Sequence, residues 1–280
     1  MFQDLLHRGY NIATFLFVVS SMLAMGSGLR VGQIVEPLRR VWLVVLGIVA
    51  NFVLMPLAAL GLARVLRLDE SFAIGLLILG CAAGAPFLPK LADLSKGSLA
   101  FAVGLMVLLM VGTVAYLPLV LPLLAEGVSV NPMQIAQSLV LLMLLPLGIG
   151  LVLKARFETL AATVKPWLDR LSSISLILMI VLIVAVNIDK VLQVFGTRAI
   201  LAGLLFIAVG FLAGWLLGGP DKDSRKVLAF GTAQRNIAAA LLVAGQSFSD
   251  PKVVVMVTVV AILGMVALMP FARALGQRSS

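Results

Sequence analysis

The chain alternates long apolar runs with short polar punctuation from end to end. Runs of about 20 apolar residues match a hydrocarbon layer roughly 30 Å thick when wound as helices. Nine such spans are predicted, at 11–30, 39–63, 71–95, 97–123, 132–153, 171–188, 197–218, 224–248 and 252–274. Two of them are irregular. The third carries Gly84, Pro86 and Pro89 within an apolar stretch, and each proline removes a backbone donor and clashes with the carbonyl four residues back. The eighth reads Gly231-Thr232-Ala233-Gln234-Arg235-Asn236, where most other spans carry Leu, Val and Ala. The pattern predicts an all-α polytopic membrane protein with two interrupted helices.

Composition agrees: 62% of the 280 residues are hydrophobic and 12% charged, with a mean hydropathy of +1.16. A soluble domain of this length could not cover its own surface, and no polar stretch is long enough to add one. Residues 11–26 have the apolar core of a secretory signal ending at Ala24-Met25-Gly26. The segment before it is not distinctly basic, so the stretch is read as the first membrane helix. The net charge of +9 reflects loops rather than a nucleic-acid partner. With Arg235 set aside, 14 Lys and Arg residues, Arg30, Lys90, Lys165 and Arg273 among them, fall on one side of the membrane and 6 on the other. The positive-inside rule then puts the N-terminus outside and the C-terminus in the cytoplasm, with Trp42, Trp167 and Trp215 at cytoplasmic helix ends. Cys81 stands alone, which excludes an internal disulfide, and His7 lies in the N-terminal tail. No metal-ligand cluster, paired catalytic carboxylates or Ser/His pair is present, so an enzyme is not expected.

Arg235 is the costliest residue. An arginine at the centre of a membrane helix costs about 2.5–3.5 kcal/mol on insertion scales and needs partners or a watery cavity. Thr232, Gln234 and Asn236 supply further hydrogen-bonding groups beside it. The bland reading of this cluster is a polar network that locks helices together; the functional reading is a transport site. At the first interruption, Pro86 and Pro89 free carbonyls that need a protein partner or a cavity. An interrupted helix also aims a half-helix N-terminus at that cavity, which favours an anion. Lys90 and Asp93 share one helix face, either as a self-neutralising surface pair or as cavity residues. Asn51 either completes the site or makes an ordinary interhelical hydrogen bond. The longest polar connection, Lys154 to Arg170, divides the chain. The interrupted helix holds corresponding places, in opposite orientation, in repeats 11–123 and 132–274 of a single 1–280 unit. That arrangement points to an inverted-repeat transporter.

Four stretches carry a resemblance: Met25-Gly26-Ser27-Gly28-Leu29-Arg30, Asn51-Phe52-Val53-Leu54-Met55-Pro56, Gly80-Cys81 through Lys96-Gly97, and Gly231 to Asn236. In this order they resemble the bile acid:sodium symporter family and its bacterial relatives. The resemblance implies ten helices in two inverted five-helix repeats, here in a nine-helix form lacking the first. Helices two, three, four, seven, eight and nine would form a core, and one, five and six a panel. Substrate would bind in the crevice between them, near the crossing of helices three and eight, with alternating access. The family's sodium sites use hydroxyl and amide oxygens where this chain has Leu88 and Pro89, and Ser/Thr on the next helix, where Thr113 is the first. They also use a glutamate near Phe230 and Gly231. These departures argue against sodium coupling, and no other cofactor is expected. The resulting expectation is a secondary transporter of a small organic anion in a bacterial inner membrane. Arg235, and Lys90 with it, would serve as fixed cations, the arginine fork gripping a carboxylate. Asn51, Pro86, Pro89, Thr232, Gln234 and Asn236 would complete the site. Asp93 would neutralise a cation or exchange a proton. Proton-coupled exchange on Asp93 and Arg235, or a non-transporting receptor of the same fold, are the alternatives. Substrate identity, stoichiometry, direction and oligomeric state have no readable sequence signal.

Overall fold

The computed structural model describes residues 2–35, 39–124, 131–186, 189, 194 and 197–277. Lys190 and Arg278 of the charge tally, the end of span 171–188 and the side chain of His7 lie outside what is described. The described residues form helices and no strands. In chain order they are α1 (Phe2–Gly28), α2 (Val31–Val35), α3 (Val41–Val65), α4 (Glu70–Cys81), α5 (Leu88–Leu94), α6 (Leu99–Leu124), α7 (Pro132–Arg156), α8 (Glu158–Val186), α9 (Ala199–Leu217), α10 (Lys222–Ala233), α11 (Ile237–Ser247) and α12 (Pro251–Gln277).

Among the described residues, seven stretches are long and apolar enough to cross a membrane: Arg8–Gly28, α3, α6, α7, α9, the α10–α11 pair and α12. They match seven of the nine expected spans. The other two expected spans fall on α4–α5 and on the second half of α8, which length and hydropathy alone do not score as crossings. The expected polar connection from Lys154 to Arg170 is not a loop. Only Phe157 interrupts the helices there, and α8 begins at Glu158. Its early turns are charged because they project beyond the apolar part of the helix.

Helices α1, α7 and α8 pack on one another as one group. In the other, α9 lies along α10, α12 packs on α4 and α11, and α3 packs on α4. This is the expected partition into panel and core. The apolar stretch of α10–α11 is buried throughout, so it threads the middle of the bundle. Two helices contain one wide turn each. In α3 the Met55 N–H reaches back five residues to the Ala50 carbonyl, and in α7 Leu145 does the same to Val140. Each wide turn directly precedes a proline, Pro56 or Pro146, whose missing donor makes a regular turn impossible there. The Phe52 carbonyl, four residues before Pro56, accepts from the Tyr116 hydroxyl instead.

Candidate functional site

The first interruption is built from backbone. Helix α4 is capped at its start by Asp69, whose carboxylate accepts from the Ser71 N–H at 3.2 Å, and it stops at Cys81. Gly84 then takes φ +78°, and a Cβ there would lie 2.2 Å from the Met110 nitrogen. Only glycine fits, both for its left-handed backbone and for the contact with α6. The Thr113 hydroxyl of α6 accepts from the Ala83 N–H at 2.9 Å and donates to the Ala83 carbonyl at 3.0 Å. One side chain thus replaces two lost helix bonds. The chain resumes as α5 at Leu88, with Pro89 in the first turn, where a missing donor costs nothing.

The second interruption is built from side chains. Helix α10 ends at Ala233, Gln234 is extended, and Asn236 caps α11 by accepting from the Ala239 N–H at 3.1 Å. The Asn236 N–H donates to the Ala82 carbonyl at 2.9 Å, so the two broken segments touch where they cross. Arg235 is 2% exposed. Its Nε donates to the Leu79 carbonyl at 2.8 Å, and Nη2 donates to Gly80 at 2.8 Å and to the Asn51 carbonyl at 3.4 Å. Its Nη1 donates to Asn51 Oδ1 at 2.6 Å and to the Thr232 carbonyl at 3.3 Å. A guanidinium has five N–H donors, and all are used. Asn51 is oriented in turn by donating from Nδ2 to the Gly47 carbonyl at 3.0 Å and to Thr232 Oγ1 at 3.3 Å.

Leu79 and Gly80 belong to the last turn of α4, whose carbonyls form the negative end of the helix dipole; that of Leu79 also accepts from the Ala82 N–H at 3.2 Å. The guanidinium caps that end. Among the described residues no carboxylate pairs with it. The crossing therefore carries a formal positive charge balanced by dipoles alone. The expected grip of the arginine fork on a substrate carboxylate has no donor left to make it.

A cavity of about 450 Å³ lies between this crossing and the panel. Pro86, Phe87 and Pro89 of the first interruption and Gln234 and Arg235 of the second line one wall, with Ile237 and Ala238 at the start of α11. The opposite wall comes from α1 through Phe17, Ser21 and Met25, and from α8 through Lys165, Asp169 and Ser172. Of the residues singled out in the sequence, Pro86, Pro89, Gln234 and Arg235 line the cavity, while Asn51, Thr232 and Asn236 are buried in the network behind it. Lys90 and Asp93 are not brought there. They pair with each other at 3.7 Å with side chains 56% and 65% exposed. Neither residue lines the cavity or contacts Arg235. Leu88, where a sodium ligand was sought, is buried against Gly231.

Sequence reasoning missed Lys165 and Asp169, which form an ion pair at 2.6 Å in the cavity wall. Their four-residue spacing was the available signal. It also passed over Thr113 as a mere departure from a pattern. Two further cations near α8 are engaged elsewhere: Arg30 and Lys154 bond Glu158 at 2.6 and 3.0 Å and hold its carboxyl down at about 2.

The Sodium Bile acid symporter family matches residues 15–194. The chain belongs to this family. The sodium-dependent transporter YocS of Bacillus subtilis, itself uncharacterized, is 28% identical over 242 residues, covering 85% of this chain and 74% of its own. Two probable sodium/metabolite cotransporters of Arabidopsis thaliana chloroplasts also match. BASS5 is 26% identical over 245 residues and covers 83% of this chain. BASS1 is 24% identical over 242 residues and covers 85%. This chain spans 60% of the length of each chloroplast relative. Family membership makes it an integral membrane transporter rather than an enzyme.

Proposed function

We propose that this chain is a secondary transporter of a small organic anion, in which Arg235 supplies from within the protein the positive charge that sodium supplies to the relatives named for it. The observation that carries the reading is the guanidinium seated on the carbonyls of Leu79, Gly80 and Asn51 with no carboxylate pairing with it among the described residues. Carbonyl oxygens at a broken helix are the kind of ligand set that holds an alkali cation in transporters, and here a side chain occupies it. A buried unit charge still acts on the cavity: at about 8 Å and an effective dielectric near 20 it attracts an anion by about 2 kcal/mol. The first turn of α11 adds its positive dipole end.

Alternating access would come from α1, α7 and α8 moving against the rest, with 11–123 and 132–274 as the two inverted repeats. The positively charged loops would face the cytoplasm, the N-terminus the outside, and the membrane would be a bacterial inner membrane. Uptake of radiolabelled mono- and dicarboxylates into proteoliposomes, with sodium replaced by choline, tests both parts. Carboxylate flux that persists without sodium is expected. Saturable dependence on sodium overturns the fixed-cation role, and absence of any carboxylate flux overturns the substrate class.

A further inference from the structure

We propose that Lys165 takes the anionic group of the substrate and that Asp169 is its resident counter-ion, displaced when substrate binds. The proposal rests on reading the cavity as an organic-anion site. Arg235 has no free donor, so the anion needs another partner, and among the described residues Lys165 is the other cation in the cavity lining. Its ammonium is bonded to Asp169 at 2.6 Å, with the two side chains 39% and 51% exposed. A pair this open to solvent is weak enough to exchange. The lysine stem lies over Gly28 of α1, where a Cβ would sit 2.7 Å from its Cε. The glycine lets the stem lie along the wall.

The rest of the lining fits the same occupant. Lys165, Asp169, Ser172 and Leu176 recur at helical spacing on one face of α8, polar at one end and apolar at the other. The apolar end continues into a smaller void that Phe17, Leu176 and Met265 also line. This gradient suits a carboxylate on a hydrocarbon body. Across the cavity Gln234 is 5% exposed, and its amide makes no hydrogen bond among the described residues. It is placed to take a second oxygen. The substrate would then bridge Lys165 on the panel and Gln234 on the core, joining the two groups that must move.

The test uses the purified full chain and a matched pair of probes, phenylacetate and uncharged phenylacetamide, with binding read by thermal stabilisation. Preference for the carboxylate is expected in the wild type. Lys165→Met should weaken phenylacetate roughly tenfold or more, as loss of a charge-assisted bond does, and leave phenylacetamide unchanged. Lys165→Arg should restore much of the affinity. Asp169→Asn should tighten phenylacetate binding by severalfold, because the internal competitor is gone. A merely structural ion pair predicts the same loss from Lys165→Met and Asp169→Asn, and that result overturns the proposal. Unchanged carboxylate preference in Lys165→Met overturns it as well, while leaving the anion reading intact. No carboxylate preference in the wild type overturns both.

Discussion

The two interrupted helices solve one problem in opposite ways. The first, between α4 and α5, is broken by Gly84, Pro86 and Pro89, and what it offers its neighbours is mostly backbone acceptors: the carbonyls of Leu79, Gly80, Ala82 and Ala83. The second, between α10 and α11, contains no proline and offers donors: the Arg235 guanidinium and the Asn236 N–H. Each lacks what the other supplies. Acceptors left bare at membrane depth are costly, so the second break is a chemical complement of the first. The residue that most resembles a substrate ligand is therefore consumed in holding the crossing together.

The sharpest way to break this complement is Arg235→Met, which strips the Gly80 carbonyl and Asn51 Oδ1 of their donors together and leaves the Leu79 carbonyl only its bond from the Ala82 N–H. A loss of a few kcal/mol is expected, because each buried acceptor left bare costs about 1–3 kcal/mol. The damage should register at the other break. Cys81 is buried beside Gly80 and should become reactive to a membrane-permeant maleimide in the variant while staying protected in the wild type. Unchanged protection would mean that the two breaks are independent.

Thr113→Val comes next. It removes the donor and the acceptor that serve Ala83 and should cost about 1–3 kcal/mol, seen as a lower melting temperature in detergent. Sodium-independent uptake should persist, because the substitution spares the guanidinium. The smallest effect is expected from Lys90→Ala and Asp93→Ala. That exposed pair is worth less than about 1 kcal/mol, so carboxylate uptake should stay within about twofold of wild type. A large transport defect in either would return them to the site.

Much of this was legible in the sequence. Apolar runs showed seven of the spans, the glycine and prolines marked the first break, and Arg235 with its polar neighbours marked the second. What remained hidden was direction. A sequence displays side-chain chemistry but not which carbonyls a proline has released, so Arg235 read as a hand extended to a ligand instead of a cap on Leu79 and Gly80. Lys165 and Asp169 were hidden differently. They stand in charged turns that looked like a connecting loop, and only the continuation of α8 through them carries their side chains to the cavity. Lys90 and Asp93 show the converse, since proximity to a broken helix in sequence did not place them in its cavity.

On the proposed reading, the covalent attachment of Arg235 also fixes how transport responds to voltage. A sodium ion that enters with a substrate leaves with it, and its charge offsets the cargo. A guanidinium stays behind in both the loaded and the empty carrier, so each cycle moves only the charge of the anion. Membrane potential acts on that charge at about 2.3 kcal/mol per 100 mV. With the cell interior negative, outward movement of an anion runs downhill and inward accumulation runs uphill. The side chain that closes a broken helix would thereby make the protein electrogenic and bias it toward efflux.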